Sequence, residues 1–127
     1  MNKGRKISGG KYKKQRKKKH YEKRGTVRAV KLKETKKKKI RTRGGGEKTV
    51  LITSDIANVI DKKTKKTKKV RILNVLETPS NRFLARQNLM IKGAIIKTEE
   101  GKARITNRPS QEGCIQAVLI EEEQKEN

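Results

Sequence analysis

Lysine and arginine are spread so unevenly along this chain that the two parts cannot fold by the same means. Residues 1–46 hold 21 Lys/Arg against two acids, Glu22 and Glu34, a net of +19. Residues 47–127 hold 16 against 11 acids, a net of +5, which completes the +24 of the 127-residue chain. A segment so short of apolar residues and so dense in cations has no drive to collapse. It gains order from a strongly anionic partner, and the remainder reads as the domain that places it there. The organisation expected is a basic N-terminal extension over 1–39, a β-barrel domain over 40–121 and a short acidic tail over 122–127. A solvated, disordered tail is the alternative for such a charge run, but it leaves 21 cations without a purpose.

Nucleic acid and an anionic membrane are the two candidate polyanions. A membrane-spanning helix needs about 20 apolar residues in succession, and no run here approaches that. A surface-lying amphipathic helix needs bulky apolar residues on one face. The extension offers only scattered ones, such as Ile7, Tyr12, Tyr21, Val27 and Val30. Nucleic acid is therefore favoured over a membrane. Its candidate contacts in the extension are Arg5, Lys6, Lys11, Lys13, Lys14, Arg16, Lys17, Lys18, Lys19, His20 and Arg24, with Ser8, Gly9 and Gly10 as a hinge that lets backbone approach closely. Tyr12 and Tyr21 are two of only three aromatic residues. Two readings stay open for them: stacking on an unpaired base, or folding back as anchors on the domain.

Residues 26–35 alternate weakly with period two and read as an edge strand or an extended segment. Lys36 to Lys39 lead into Ile40-Arg41-Thr42-Arg43-Gly44-Gly45-Gly46. Three glycines in a row belong in a turn or against a phosphate rather than in a helix. Arg41 and Arg43 would share a face if the stretch is extended, and a guanidinium fork suits phosphate. Beyond this junction come β-branched stretches at 48–53, 56–60, 70–77, 94–98, 102–106 and 114–120, separated by turn chemistry. Residues 61–69 carry six lysines and no apolar residue, so they read as an exposed hairpin tip. Residues 82–87 fit one helical turn or a loop, and Gly101 fits a tight turn needing a positive φ. Six short strands at this spacing indicate an all-β fold, a small closed β-barrel of about six strands. Lys65, Lys66 and Lys68 at the tip, with Arg104 and Arg108, add further RNA-contact candidates.

Little here suits catalysis. The one histidine, His20, sits among lysines with nothing to orient it. The one cysteine, Cys114, opens an expected strand and reads as a small core residue. Single copies exclude an internal disulfide and cysteine-cluster or multi-histidine metal sites, and suit a reducing cytoplasm. Asp55, Asp61 and Glu77 are scattered over turns and strand ends, whereas a metal-assisted nuclease needs converging carboxylates. Gly44 to Thr49 lacks the spacing of a phosphate-binding loop and leads into a strand. No apolar stretch of the signal-peptide kind follows the basic start. No metal, cofactor or small-molecule substrate is expected.

Several long motifs together resemble the archaeal and eukaryotic type of small-ribosomal-subunit protein eight, a family unrelated to the bacterial protein of that number. They are Gly4 to Tyr12, Ile40 to Gly45, Ala57-Asn58-Val59 with Asp61, Lys69 to Glu77, Lys92 to Ile96 and Arg104 to Pro109. The resemblance covers nearly the whole chain. It implies a ribosome-bound, cytoplasmic component of the small subunit, with small-subunit ribosomal RNA and neighbouring ribosomal proteins as partners. It also implies a central barrel behind a basic extension. Two departures stand out: Glu22-Lys23-Arg24-Gly25 does not keep the family's usual order of glutamate, apolar residue and glycine, and the large insertion of eukaryotic members is missing, which makes the chain look archaeal. A ribosome-assembly factor shares the domain but is normally much longer. The competing classes are an RNA-processing enzyme with a basic targeting arm and a chromatin-type architectural protein.

Overall fold

The computed structural model describes residues 4–12, 16–23, 25 and 28–120. Among the described residues nine strands run in the order β1 (Val30–Leu32), β2 (Lys36–Arg41), β3 (Glu47–Ser54), β4 (Ile56–Ile60), β5 (Thr67–Glu77), β6 (Leu89–Met90), β7 (Ile95–Thr98), β8 (Gly101–Ile105) and β9 (Gln116–Leu119). One short helix, α1 (Arg82–Arg86), lies between β5 and β6.

Five of these strands close a barrel in the order β4-β5-β7-β8-β9. Alternation decides which side chains fill it. On β8, Ala103 and Ile105 are buried while Lys102 and Arg104 face solvent. Ala57 and Val59 of β4, Ile96 of β7 and Ala117 of β9 point inward in the same way. A five-stranded barrel is narrow, and its interior is met by alanines and branched aliphatics rather than by rings. β5 is too long to stay flat. It changes register against β7 between Ile72 and Asn74 and again between Val75 and Glu77, and such bulges bend a strand around a barrel wall. Closure comes from β4 lying parallel to β9, with Asn58 opposite Gln116 and Ile60 opposite Val118. That pairing leaves none of the five strands with an open edge.

The remaining strands form a second sheet in the order β2-β3-β1-β6. Val30, Leu51 and Met90 from it belong to the same buried cluster as the barrel residues Ala57, Ile96 and Ile105. The barrel therefore does not stand alone: one core serves both sheets.

Several expectations change here. The stretch read as an edge strand contributes β1, which is internal: it pairs parallel with β3 and antiparallel with β6. Only three residues long, it shows too little alternation to reveal its neighbours. The expected boundary at 39/40 falls inside β2, whose Lys36 to Arg41 pair along β3. Cys114 is neither in a strand nor in the core; it is half-buried two residues before β9, and Ile115 takes the interior position. Arg41 and Arg43 do not share an extended face, because β2 ends at Arg41 and residues 43–45 wind into a 3-10 turn with Gly44 and Gly45 at φ of 79° and 80°. Residues 82–86 do form the single helical turn, begun by Asn81, whose side chain accepts a hydrogen bond from the Phe83 N–H. Gly101 adopts φ 132° where β8 leaves the β7–β8 turn. The acidic tail beyond residue 120 lies outside the described residues.

Candidate nucleic-acid interface

The basic residues fall into separate local structures, each closed by its own short-range bonds. The first is a turn over residues 5–11. The Gly9 N–H donates to the Lys6 carbonyl at 2.9 Å, the Lys6 N–H donates to the Gly10 carbonyl at 2.9 Å, and Arg5 bridges to Lys11 as an antiparallel pair. The Arg5 guanidinium donates to the Gly9 carbonyl at 3.0 Å. Gly9 sits at φ 75°, a conformation that glycine reaches without strain. The hinge expected at Ser8-Gly9-Gly10 is thus a folded turn that gathers Arg5, Lys6 and Lys11 and leaves them exposed, with Ile7 fully exposed between them. Lys6 also stands 5.8 Å from the centroid of the Tyr12 ring.

The second structure spans residues 16–23 and is organised by Glu22. Its carboxylate accepts both Arg16 guanidinium nitrogens, at 3.0 and 2.7 Å, and the Lys19 N–H at 3.0 Å. The guanidinium first, and then the amide, holds the Glu22 carboxyl below the usual carboxylate range. Arg16 is therefore partly neutralised by an acid of the same chain. Lys17, Lys18 and Lys19 are exposed, as are His20 and Tyr21, which begin a 3-10 turn; Lys19 lies 5.9 Å from the Tyr21 ring centroid. Lys13, Lys14 and Arg24 lie outside the described residues.

The third is the β2–β3 hairpin. Lys36 to Lys39 are all exposed along β2, a strand at one side of the second sheet. The hairpin loop is closed by the Thr42 N–H donating to the Gly46 carbonyl at 2.7 Å, and it presents Arg41 and Arg43 to solvent. Lys39 approaches Glu47 at 3.5 Å, with both side chains largely exposed, an arrangement worth little in water.

The fourth is the tip between β4 and β5. Asp61 accepts the Lys63 N–H and the Thr64 hydroxyl, each at 2.9 Å, so the turn is built by an aspartate that its own lysines surround. The Lys63 N–H, and then the Thr64 hydroxyl, lowers the Asp61 pKa. Lys65 and Lys66 are exposed at the tip, with Lys65 at φ 55°. Lys68 differs: its ammonium meets Glu100 at 2.7 Å, and that hydrogen bond raises its pKa. Arg104 faces out of β8 and lines, with Lys62, a depression of about 570 Å³. Arg108 is exposed on the loop before β9, where its carbonyl accepts the Gln111 N–H at 3.0 Å.

Among the acids considered for catalysis, Asp55 accepts the Thr35 hydroxyl at 2.8 Å, which lowers its pKa, and Asp61 is engaged in its turn. No group of three or more His, Cys, Asp or Glu that could hold a metal occurs among the described residues. No helix among them is long and apolar enough to cross a membrane.

Two cationic features were not read from the chain. Arg28 reaches 82 positions along the sequence to donate to the Ser110 carbonyl at 3.3 Å, a contact that no local pattern signals. On α1, Phe83 is exposed between Arg82 and Arg86, whose guanidinium carbons lie 5.7 and 5.8 Å from its ring centroid. The sequence spacing of one and three residues was available, but only the helix makes the three side chains neighbours.

The sequence model of the family described as "Ribosomal protein S8e" matches residues 1–120. Several proteins named small ribosomal subunit protein eS8 align along nearly their whole length. The one from Methanocorpusculum labreanum is 47% identical over 117 residues, covering 92% of this chain and 94% of its own. That from Sulfolobus acidocaldarius is 43% identical over 122 residues, covering 95% of each chain, and that from Methanocella arvoryzae is 42% identical over 116, covering 91% and 93%. A chain whose barrel shares its core with a second sheet, and whose sequence matches over residues 1–120 in this way, belongs to the ribosomal protein S8e family.

Proposed function

We propose that this chain is a structural constituent of the small ribosomal subunit that binds and stabilises small-subunit ribosomal RNA. The observation that carries the reading is the separation of charge from core: residues 1–46 carry a net of +19, and none of the described side chains before Val30 is buried. The barrel and its companion sheet act as the anchor. The extension, the stretch before Val30, runs between RNA helices and neutralises phosphates that would otherwise repel one another, taking its final path as it binds. Arg5, Lys6 and Lys11 act from one turn; Lys17, Lys18 and Lys19 act from the next. Arg41 and Arg43 grip phosphate from the β2–β3 hairpin, Lys65 and Lys66 from the β4–β5 hairpin, Arg104 from β8 and Arg108 from the loop before β9. Arg16 and Lys68 contribute least while paired with Glu22 and Glu100. The partners are ribosomal RNA and adjacent small-subunit proteins, the location is the cytoplasmic ribosome, and the chain supports translation and subunit assembly by binding rather than by chemistry.

Particles separated on a density gradient at moderate salt test this directly. The protein is expected to sediment with the small subunit and to be released only as salt rises, since added salt weakens the counterion release that drives phosphate binding. Recovery mainly as free protein, or bound to DNA, overturns the reading.

A further inference from the structure

The chain has three aromatic residues, two tyrosines and Phe83. The tyrosines lie in the extension, whereas Phe83 is carried by α1, on the folded body. Phe83 is 55% exposed, although a buried cluster of aliphatic residues was available to take it. Burying a phenylalanine stabilises a fold by about 1.5–3 kcal/mol, so its position outside the core leaves a large apolar surface unused. Its immediate neighbours are cations. The Arg82 and Arg86 guanidiniums stand 5.7 and 5.8 Å from the ring centroid, at the rim of the cation–π range. Both guanidiniums lie over the ring at that distance, and the residue as a whole still keeps more than half of its surface open to solvent. The helix is held in place by the Asn81 cap at 3.0 Å and by the Asn88 N–H donating to the Ala85 carbonyl at 2.9 Å. Ala85, also on the helix, packs against the core.

We propose that Phe83, Arg82 and Arg86 form a stacking site for one unpaired RNA base, with the ring taking the base face and the two guanidiniums taking the phosphates on either side. This rests on the RNA-binding function proposed above and assigns to the body a contact that reads single-stranded shape, which the extension's lysines do not. Charge complementarity selects the occupant. A protein neighbour covering the ring with apolar residues would have to strip water from two guanidiniums without pairing them, which is costly. A nucleotide supplies a flat face and an anion together. Bases splayed from loops and bulges are the parts of folded RNA that present an open face.

The test uses the full chain with two probes: a short single-stranded RNA carrying one 2-aminopurine, and a duplex of the same length. Fluorescence of the 2-aminopurine is expected to be quenched on binding. Phe83→Leu is expected to bind the single strand about tenfold more weakly, to lose the quenching, and to keep its duplex affinity and the slope of affinity against salt. Phe83→Trp is expected to retain both affinity and quenching. The double variant Arg82→Gln/Arg86→Gln is expected to flatten the salt slope for the single strand. Thermal melting of each variant is expected to match that of the parent protein, because the three side chains lie on the surface. Equal affinity and equal quenching for Phe83→Leu and the parent overturn the stacking site while leaving RNA binding intact. So does a Phe83→Leu protein that binds both RNAs normally but no longer joins the small subunit, which would assign the ring to a protein neighbour. If the parent itself binds neither probe, the underlying RNA-binding reading falls, and the site falls with it.

Discussion

The extension and the barrel hold their shapes over opposite distances along the chain. In the extension, hydrogen bonds close within a few residues: Lys6 to Gly10, Arg5 to Gly9, Arg16 to Glu22. In the barrel, the closing pair sets Asn58 against Gln116. The first kind of structure concentrates charge without needing a core. The second buries Ile96, Ala94 and Ala103 completely and draws its stability from water exclusion. The two can therefore be perturbed independently, because an extension residue has nothing buried to lose and a buried barrel residue has no phosphate to hold. Arg28, joined to the carbonyl of Ser110, marks where one regime passes into the other.

The largest effect that separates them comes from Ile96→Ala. The side chain is fully buried at the centre of β7, and removing so many buried methyl and methylene groups costs about 2–5 kcal/mol. Against a total of ~5–15 kcal/mol for a domain, urea unfolding is expected to show a sharply lower midpoint. The salt slope of RNA binding, measured where the variant is still folded, is expected to be unchanged. A flattened slope would mean that the extension takes its shape from the barrel, and the contrast would fail.

The converse variant is Arg5→Gln/Lys6→Gln/Lys11→Gln. All three side chains are exposed in the 5–11 turn. Stability is expected to stay within about 0.5 kcal/mol of the parent, as for surface substitutions in general. The slope of log affinity against log salt is expected to fall by roughly 2–3, at about 0.7–0.9 for each phosphate no longer neutralised. A drop in unfolding midpoint comparable to that of Ile96→Ala would show that the turn is part of the folded body.

The same contrast explains what could be read from the chain alone. Strands β3, β4, β5, β7, β8 and β9 follow from β-branched stretches set between turn residues, and on β8 the alternation of Ala103 and Ile105 with Lys102 and Arg104 also marks the buried face. Membership in two sheets does not follow, because it depends on β1 lying parallel to β3 with Lys31 opposite Thr53, a register set by contacts distant in sequence. Two-residue β6 has no period at all. In the site, cations were legible as cations, but their pairing was not. Lys68 meets Glu100 across 32 positions, so one member of a six-lysine run differs from its neighbours for a reason that the run does not contain. The 5–11 turn was half legible: its glycines announced a bend, while the closure of Lys6 on Gly10 emerged only in three dimensions.

The smallest effect concerns the extension's own acid. Glu22 has a lowered pKa, first because of the Arg16 guanidinium and then because of the Lys19 N–H. A carboxyl whose folded pKa is depressed contributes stability above its unfolded value and loses that contribution as pH falls through the folded one. The 16–22 turn is therefore expected to persist through neutral pH and down past the ordinary carboxylate range, then to open as Glu22 takes up a proton. Arg16→Gln removes the larger cause. An NMR titration of the Glu22 side-chain carboxyl is expected to shift upward in that variant, towards the ordinary value, while the Lys19 N–H keeps it from arriving there. Barrel amides such as those of Ile96 and Ala103 are expected not to move over the same step, since neither belongs to the network around Glu22. If Glu22 titrates in the parent at the ordinary value, the ion pair is too fully solvated to shape the turn, and Arg16 then stands beside Lys17 and Lys18 as a cation available to phosphate. If barrel amides move together with Glu22, the two regimes are coupled through Arg28 and Ser110, and the extension belongs to the fold before any RNA arrives.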